Sequence, residues 1–287
     1  MRELVFLKLG GSLITDKTKP YSARLDTLGN LGSQIAHALQ TQPELRLVLG
    51  HGSGSFGHTA AKEYRTRDGL PAPLHLPPFA SQMRGVARRA EGGGGRYWQG
   101  FTEVWYQAST LNRYVIRALR EAGVAAMTFS PAASVWSENG QVVQWDISQI
   151  EAALEGGILP VVHGDVIFDR AKGGTILSTE DLFEHLALEL RPRRILLAGL
   201  EDAVWADFPA RRHRVEVLTR ESFNEISRGV GKASGADVTG GMGSKVRQML
   251  DLVEQVPGLQ ALIFSGEGDG NLEKALKGEH IGTLVTK

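Results

Sequence analysis

The stretch Lys8-Leu9-Gly10-Gly11-Ser12 ends the apolar run Leu4–Leu9, and this succession of a buried strand and a glycine turn decides the fold class. A short run of this kind, apolar except for Lys8, is typical of a strand that is buried on both faces. Similar runs follow it along the chain: Leu45–Leu49, Val124–Phe129, Ile158–His163, Ile195–Ala198 and Leu259–Phe264. Amphipathic stretches at helical spacing, such as Leu25 to Leu39, lie between the runs. The alternation predicts an α/β fold, a three-layer αβα sandwich with a mainly parallel central sheet.

Two further segments, Gln141–Trp145 and Val166–Leu177, have the pattern of β-hairpins, so we expect the sheet to be mixed. Pro71–Pro78 and Glu91–Arg96 are rich in proline and in glycine, and both are predicted to be loops. Helical patterns resume directly after these loops, which argues against a domain linker. We therefore predict a single domain over residues 1–287, with an N-terminal lobe of about 1–170 and a C-terminal lobe of about 171–287.

Composition and charge exclude several classes of function. Lys plus Arg and Asp plus Glu both number 32, so no basic excess points to a nucleic-acid partner. The chain has no cysteine, which excludes disulfides, thiolate metal sites and a cysteine nucleophile. No two histidines have the spacing of a zinc site, so no protein-built metal site is predicted. The first apolar run is too short for a signal peptide or a membrane span, and we expect a cytoplasmic protein without a membrane partner.

The first glycine turn lies where open α/β sheets bind their ligands, beyond the carboxyl end of a strand. Glycines let backbone N–H groups approach phosphate oxygens, and Lys8 and Lys17 flank the turn with positive charge. A strand that ends in two glycines is often a packing turn instead, and this loop alone does not decide between the two interpretations.

A second glycine loop, Gly50–His58, follows the second predicted strand. It contains the dinucleotide pattern G-x-G-x-x-G, but a proline-rich loop stands where that pattern needs another strand and an acidic residue. The P-loop pattern G-x-x-x-x-G-K-[ST] is absent from the sequence. Two glycine loops after two early strands therefore predict two anionic groups that meet at one edge of the sheet.

A third loop, Gly235–Lys245, precedes a predicted helix. Ser244 can cap that helix, which places Lys245 in its first turn. The helix dipole disfavours a cation at this end. We therefore expect Lys245 to face a bound anion, and a solvated lysine beside the loop is the alternative.

Five segments make the chain resemble the amino-acid-kinase superfamily and, within it, the isopentenyl phosphate kinases. They are KLGGSLITDK (residues 8–17), GHGSGSFGH (50–58), PVVHGDVIFD (160–169), LSTEDL (177–182) and DVTGGMGSKV (237–246). KLGGS and GGM-x-x-K mark the superfamily, and the ending SFGH is similar to its phosphate-accepting branch. Fosfomycin kinases are similar at this motif too. The resemblance implies the amino-acid-kinase fold, ATP and Mg²⁺ as cofactors, isopentenyl phosphate as the small-molecule substrate, and a homodimer.

The resemblance also implies roles for individual residues. Lys8, Lys17 and His58 would be catalytic. The N-terminal lobe would bind the acceptor through Ser53, Gly54, Gly57, His58, Gly164 and Asp165. The nucleotide, served mainly by the C-terminal lobe, would contact Lys8, Gly10, Gly11, Ser12, Gly54, Asp181, Asp202, Gly241 and Lys245. Two segments depart from the family pattern: Ser178–Asp181 replaces a turn rich in glycine and aspartate, and Ala198–Val204 lacks the usual Thr-Asp pair.

These residue types suit phosphoryl transfer, which needs positioning and neutralisation of charge because its transition state is loose. A phosphate monoester has a second pKa of about 6, so its attacking oxygen is largely ionised at neutral pH and needs no general base. Part of the apolar face Phe101–Leu119 is expected to line a slot for the hydrocarbon tail. The alternatives are a fosfomycin kinase, a kinase for a carboxylate or carbamate acceptor, and a nucleotide-binding regulatory module without catalysis.

Overall fold

A computed structural model of the protein describes residues 3–66, 69, 95–230 and 241–287. The predicted loop at 71–78, most of the loop at 91–96 and residues 235–240 of the third glycine loop lie outside these ranges. The helices within them are α1 (Gly11–Ile14), α2 (Leu25–Thr41), α3 (Gly54–Tyr64), α4 (Gly95–Glu121), α5 (Pro131–Ser134), α6 (Ser148–Glu155), α7 (Thr179–Leu190), α8 (Arg220–Val230), α9 (Gly241–Gln255) and α10 (Asn271–Leu276). Among these helices, none has the length and apolar composition that a membrane crossing requires.

The strands of the described residues form a large central sheet and two smaller sheets. They are β1 (Glu3–Leu9), β2 (Leu45–His51), β3 (Ala126–Thr128), β4 (Val135–Glu138), β5 (Gln141–Trp145), β6 (Leu159–His163), β7 (Asp165–Asp169), β8 (Gly173–Leu177), β9 (Arg194–Gly199), β10 (Val204–Trp205), β11 (Arg214–Val215), β12 (Val217–Leu218), β13 (Gln260–Ser265) and β14 (Thr283–Val285). The central sheet has eight strands in the order β12-β14-β13-β9-β1-β2-β6-β3.

The central sheet is parallel except where β14 runs antiparallel to β13. The predicted mixed and mainly parallel sheet is therefore confirmed. The two predicted hairpins are not its source, because they lie in a separate four-stranded sheet of order β5-β4-β7-β8. In that sheet β4 pairs with β5 and β7 pairs with β8, each in antiparallel register.

Alternation of the side chains along β1 divides the apolar core into two layers. Phe6 faces one layer, where its ring lies 5.0 Å from the ring of Phe183 on α7. Leu7 faces the opposite layer, together with Leu31 of α2 and Leu111 of α4. These side chains are all at most 1% exposed. Because helices cover both faces of the sheet, the predicted three-layer α/β architecture is confirmed.

The register of the central strands brings three chain turns together. Leu9, the last residue of β1, lies opposite His51 of β2, and His51 lies opposite His163 of β6. All three strands run in the same direction, so the residues that follow them emerge at one edge of the sheet. This edge carries the first two glycine loops and the Gly164 turn.

Candidate active site

Backbone hydrogen bonds fix the positions of the turns at this edge. The N–H of Gly10 donates to the carbonyl of Ala198 at 2.8 Å, which ties the first loop to β9. The N–H of Gly52 donates to Leu9 at 3.0 Å, and the N–H of Gly164 donates to His51 at 3.2 Å. Each turn is thereby held against the strand beside it.

The first two glycine loops also pack directly on each other. A Cβ atom on Gly11 would lie 2.5 Å from the backbone nitrogen of Gly54, closer than any real side chain approaches. Gly54 has a φ of +50°, and a Cβ atom there would lie 2.2 Å from Oγ1 of Thr15. Thr15 joins the loops through its hydroxyl, which donates to the carbonyl of Gly11 at 2.7 Å and accepts from the N–H of Ser55 at 3.0 Å. These glycines therefore serve close packing, whatever ligand they also contact.

A cavity of about 340 Å³ opens beside the first loop. Its polar lining comes from distant parts of the chain: Lys8, Gly10, Ser12, Lys17, Glu180, Glu201 and Lys245. Its apolar lining comes mostly from the region after β9 and from α9, and includes Val204, Trp205, Phe208, Met242 and Val246. The structure thus brings all three lysines of the sequence analysis into one cavity.

Lys8 forms a buried ion pair that the sequence analysis missed. Its ammonium donates to Oε1 of Glu180 in the first turn of α7, and both residues are 6% exposed. Burial lowers the pKa of Lys8 more than the nearby Glu180 raises it, and Lys245 lowers it further. Burial raises the pKa of Glu180, but Lys8 and then Lys245 outweigh burial and hold that pKa below its usual value. The carboxylate therefore lies within electrostatic reach of two of the three lysines.

Two other acidic residues make local contacts. Asp181 forms a capping box with Ser178 at the start of α7, and its Oδ1 accepts from Nε2 of Gln248 at 3.1 Å. Asp202 is exposed and accepts from the indole N–H of Trp205 at 3.3 Å. Neither carboxylate belongs to the cavity lining, whereas Lys8, Gly10, Ser12 and Lys245 do. The predicted roles of Asp181, Asp202 and Gly241, the first residue of α9, stay predictions.

The predicted acceptor residues lie around the start of α3 and the end of β6. Ser53 precedes α3, and Gly57 packs against it so closely that a Cβ atom there would lie 2.2 Å from Oγ of Ser53. His58 is exposed on α3. The N–H of Gly164 also bonds Oγ1 of Thr179 at 3.1 Å. The structure therefore places these residues at the same edge of the sheet as the lysine cavity.

The side chain of Asp165 is fully buried beneath this edge. Its Oδ1 accepts from the N–H of Val166 at 2.8 Å, and its Oδ2 has no hydrogen-bond partner among the described residues. Burial raises the pKa of this carboxyl well above its usual value. His163 lies 3.8 Å away through Nδ1, and burial lowers its pKa to about 3. The predicted contact between Asp165 and the acceptor therefore remains a prediction. Because the carboxyl is fully buried, the backbone of Asp165 is the part that could make this contact.

His51 supports the same edge from inside. Its ring stacks on that of His163 at 5.3 Å, and its Nε2 lies 3.1 Å from Oδ1 of Asn112 on α4. Burial lowers the pKa of His51 as well. Both histidines are at most 1% exposed, so we infer a structural role for them in holding the turns.

A small apolar cluster lies next to the predicted acceptor residues. It comprises Ala60 of α3, Val166 of β7, and Tyr97, Phe101 and Val104 of α4. Phe101 also lies 5.2 Å from the ring of Phe168, a half-exposed aromatic residue. The cluster lies where the apolar face Phe101–Leu119 of α4 contacts α3. The slot for a hydrocarbon tail that we expect along this face stays a prediction.

Residues 3–265 match the amino acid kinase family. The chain is 32% identical to the isopentenyl phosphate kinase of Methanothermobacter thermautotrophicus over 99% of both chains, and 30% identical to that of Methanocaldococcus jannaschii over 98% of both. A solved structure of an isopentenyl phosphate kinase covers 99% of this chain at 30% identity with a TM-score of 0.76, and 100% of that chain is covered. The product complex of the T. acidophilum isopentenyl phosphate kinase has the same fold, with a TM-score of 0.71 at 21% identity, over 98% of this chain and 99% of the other.

Proposed function

The chain belongs to the amino acid kinase family and, within it, to the isopentenyl phosphate kinases, and we propose that it transfers the γ-phosphoryl group of ATP to isopentenyl phosphate. The product is isopentenyl diphosphate. The observation that carries the proposal is the convergence of Lys8, Lys17 and Lys245 on one cavity beside two glycine loops.

Charge neutralisation is the main task of such a site. Two unit charges of the same sign at 4 Å repel by about 4 kcal/mol at an effective dielectric near 20, and the donor and acceptor each bring more than one charge. Lys8 and Lys17 are the lysines of the first loop and are assigned to the transferring phosphoryl group. Lys245, the fifth residue of α9, is assigned to the other phosphates of the nucleotide. The helix is already formed at Gly241, so Ser244 lies within it and does not cap it, and that prediction was wrong. Glu180 holds the ammonium of Lys8 in place inside the cavity.

The residues of the cavity suit a Mg²⁺ ion that arrives with the nucleotide. Within the described residues, no group of three or more acidic or histidine side chains could hold a metal ion. The carboxylate of Glu180, which lines the cavity, is already paired with Lys8. Magnesium in kinase sites is typically held by substrate phosphates with few carboxylates, and it neutralises charge on the transferring group.

The acceptor side needs no general base, because the phosphate monoester is already largely ionised at neutral pH. We assign its phosphate to Ser53, Gly54, Gly57 and the Gly164 turn, with His58 as a hydrogen-bond donor that strengthens as charge redistributes. In this assignment the N-terminal lobe, about residues 1–170, binds the acceptor, and the C-terminal lobe, about 171–287, binds the nucleotide. The homodimer and the cytoplasmic location stay predictions.

A coupled assay of ADP release tests the proposal. Purified protein with ATP and Mg²⁺ should turn over isopentenyl phosphate faster than fosfomycin, glutamate or carbamate, because the comparisons favour the isopentenyl phosphate kinases. The product should be identified as a diphosphate by ³¹P NMR. Turnover of fosfomycin or a carboxylate in preference to isopentenyl phosphate would overturn the acceptor, and ATP binding without turnover of any acceptor would favour a regulatory module.

A further inference from the structure

The apolar part of the donor cavity is built by a short hairpin that the sequence analysis did not predict. β10 and β11 pair through Val204 opposite Val215 and Trp205 opposite Arg214. Thr283 of β14 anchors both strands, because its hydroxyl accepts from the N–H of Val204 at 2.8 Å and donates to the carbonyl of Val215 at 2.6 Å. The hairpin is thereby fixed to β14 of the central sheet, and Trp205 lines the cavity.

The loop between β10 and β11 is closed by one carboxylate. Asp207 accepts from the backbone N–H of Arg212 at 3.1 Å, from that of His213 at 3.0 Å and from the His213 ring at 3.1 Å. Burial of the Asp207 carboxyl raises its pKa, but these hydrogen bonds lower it more. The closed loop holds Phe208, which lines the same cavity as Trp205.

Arg211 connects this loop to the cavity wall. Its Nη2 donates to Oε1 of Glu201 at 2.6 Å, and its guanidinium carbon lies 5.5 Å from the centre of the Phe208 ring. Glu201 and Phe208 line the cavity, whereas Arg211 does not. Arg211 has a φ of +52°, in the left-handed region that favours glycine. A strained backbone at a residue whose side chain joins two lining residues suggests that the side chain has a function there.

We propose that the nucleobase of the donor packs against Trp205 and Phe208, and that Arg211 is the positioning residue that holds the Phe208 ring at the cavity wall. The proposal rests on ATP as the donor. The triphosphate must lie at the lysines, so the base must lie in the remaining part of the cavity, whose aromatic lining residues are Trp205 and Phe208. Bases stack favourably on aromatic rings, and a cation over the face of a ring is attracted to it through the cation–π interaction.

The test separates recognition of the base from recognition of the phosphates. Dissociation constants of ATP and of inorganic tripolyphosphate, which has no base, are measured by calorimetry for the parent protein and for Phe208→Leu and Arg211→Ala. Phe208→Leu should weaken ATP about tenfold, because stacking of one base on an aromatic ring is worth roughly 1–3 kcal/mol. Arg211→Ala should weaken ATP about threefold, and Arg211→Lys, which keeps a cation, should recover most of that loss. Tripolyphosphate should bind all of these proteins alike.

Arg212→Ala is the matched control, because Arg212 is an exposed arginine on the same loop whose contact with Asp207 is through its backbone N–H. It should bind ATP like the parent. Equal ATP affinity in the parent and Phe208→Leu would place the base elsewhere. If the substitutions weakened the binding of ATP and of tripolyphosphate equally, the loop would have only a structural role, and the proposal would also be overturned. A parent protein that binds no ATP would instead refute the proposed function.

Discussion

Replacing Glu180 by glutamine removes the negative charge that faces Lys8 while nearly preserving the shape of the side chain. Both residues are only 6% exposed, so water can replace little of the lost partner. Removal of one member of a buried ion pair typically costs about 3–5 kcal/mol. We expect the lower part of that range for Glu180→Gln, because the amide oxygen can still accept a hydrogen bond from the ammonium. The free energy of unfolding at pH 7, measured by urea titration, should therefore fall by about 3 kcal/mol.

The pH dependence gives a second, independent measure of the same pair. In the parent the pKa of Glu180 lies below its usual value, because Lys8 outweighs the effect of burial. The stability gained from its charge is therefore fully present above the unfolded-state pKa and is lost as the pH falls through the folded-state pKa. The difference in stability between the parent and Glu180→Gln should shrink in that acidic range. If the difference in unfolding free energy between the parent and Glu180→Gln stayed constant across the acidic range, Glu180 would not be ionised in the folded parent.

Catalysis should respond at the opposite end of the pH scale. Burial already lowers the pKa of Lys8, and Glu180 counters part of that effect. Without Glu180 the pKa of Lys8 falls further, so the ammonium that neutralises phosphate charge is lost at a lower pH. The alkaline limb of the pH profile of kcat should move to lower pH in Glu180→Gln.

A double-variant cycle distinguishes pairing from a general loss of packing. Lys8→Met should be inactive, and Lys8→Met with Glu180→Gln should regain part of the stability lost in each single variant, because no buried charge is left unpaired. Glu180→Asp keeps the charge and should retain the alkaline limb of the parent. Additive losses in the double variant, together with an unmoved alkaline limb in Glu180→Gln, would refute the ion pair as the reason for the geometry of Lys8.

Substitutions at three positions and one substrate series test the remaining assignments. His58→Ala should lower kcat/KM for isopentenyl phosphate about 100-fold with unchanged ATP affinity. His58→Gln, which keeps a hydrogen-bond donor, should lose less. Equal acceptor kinetics in His58→Ala and the parent would contradict the proposed contact of His58 with the acceptor phosphate. Gly54→Ala should lose more than about 2 kcal/mol in urea titration, because it combines a positive φ with a clash at Thr15. Lys245→Ala should reduce kcat about 100-fold while the midpoint of thermal unfolding stays unchanged. Near-normal turnover would exclude Lys245 from the mechanism. Alkyl phosphates should bind about fourfold tighter per added CH₂ until the slot is full, and no trend would argue against an apolar slot.

The fold could be predicted where local pattern and tertiary burial agree. The strand β1 is buried on both faces, and its six residues from Leu4 to Leu9 are all buried, as its mostly apolar pattern indicated. The hairpin of β10 and β11 could not be predicted, because its strands are two residues long and carry no periodicity. Thr283, far away in the sequence, hydrogen-bonds to both of its strands.

The lysines of the candidate site could be predicted, but the partner of Lys8 could not. Glu180 and Asp181 are adjacent acids at the start of one helix, and the sequence analysis assigned a ligand role to Asp181. Helix geometry separates them, since the capping box turns Asp181 back to Ser178 while Glu180 points to the cavity. The sequence does contain an indication for Glu180. The residue lies in the first turn of a helix that follows a strand, where the helix dipole favours a carboxylate. The packing of α7 against β1, seen in the contact of Phe183 with Phe6, then brings Glu180 to Lys8.

The contact between the two glycine loops joins the proposed donor and acceptor sites into one unit. Gly11 belongs to the loop assigned to the nucleotide and Gly54 to the loop assigned to the acceptor, and a side chain on either would displace the other. Thr15 hydrogen-bonds to both loops at once. In-line phosphoryl transfer needs the two phosphates at a fixed separation, and a flexible joint would lose part of the rate gained from positioning. In the proposed site, the direct backbone contact would fix that separation without any side chain between the loops, so we propose that glycine at these two positions serves both packing and catalysis.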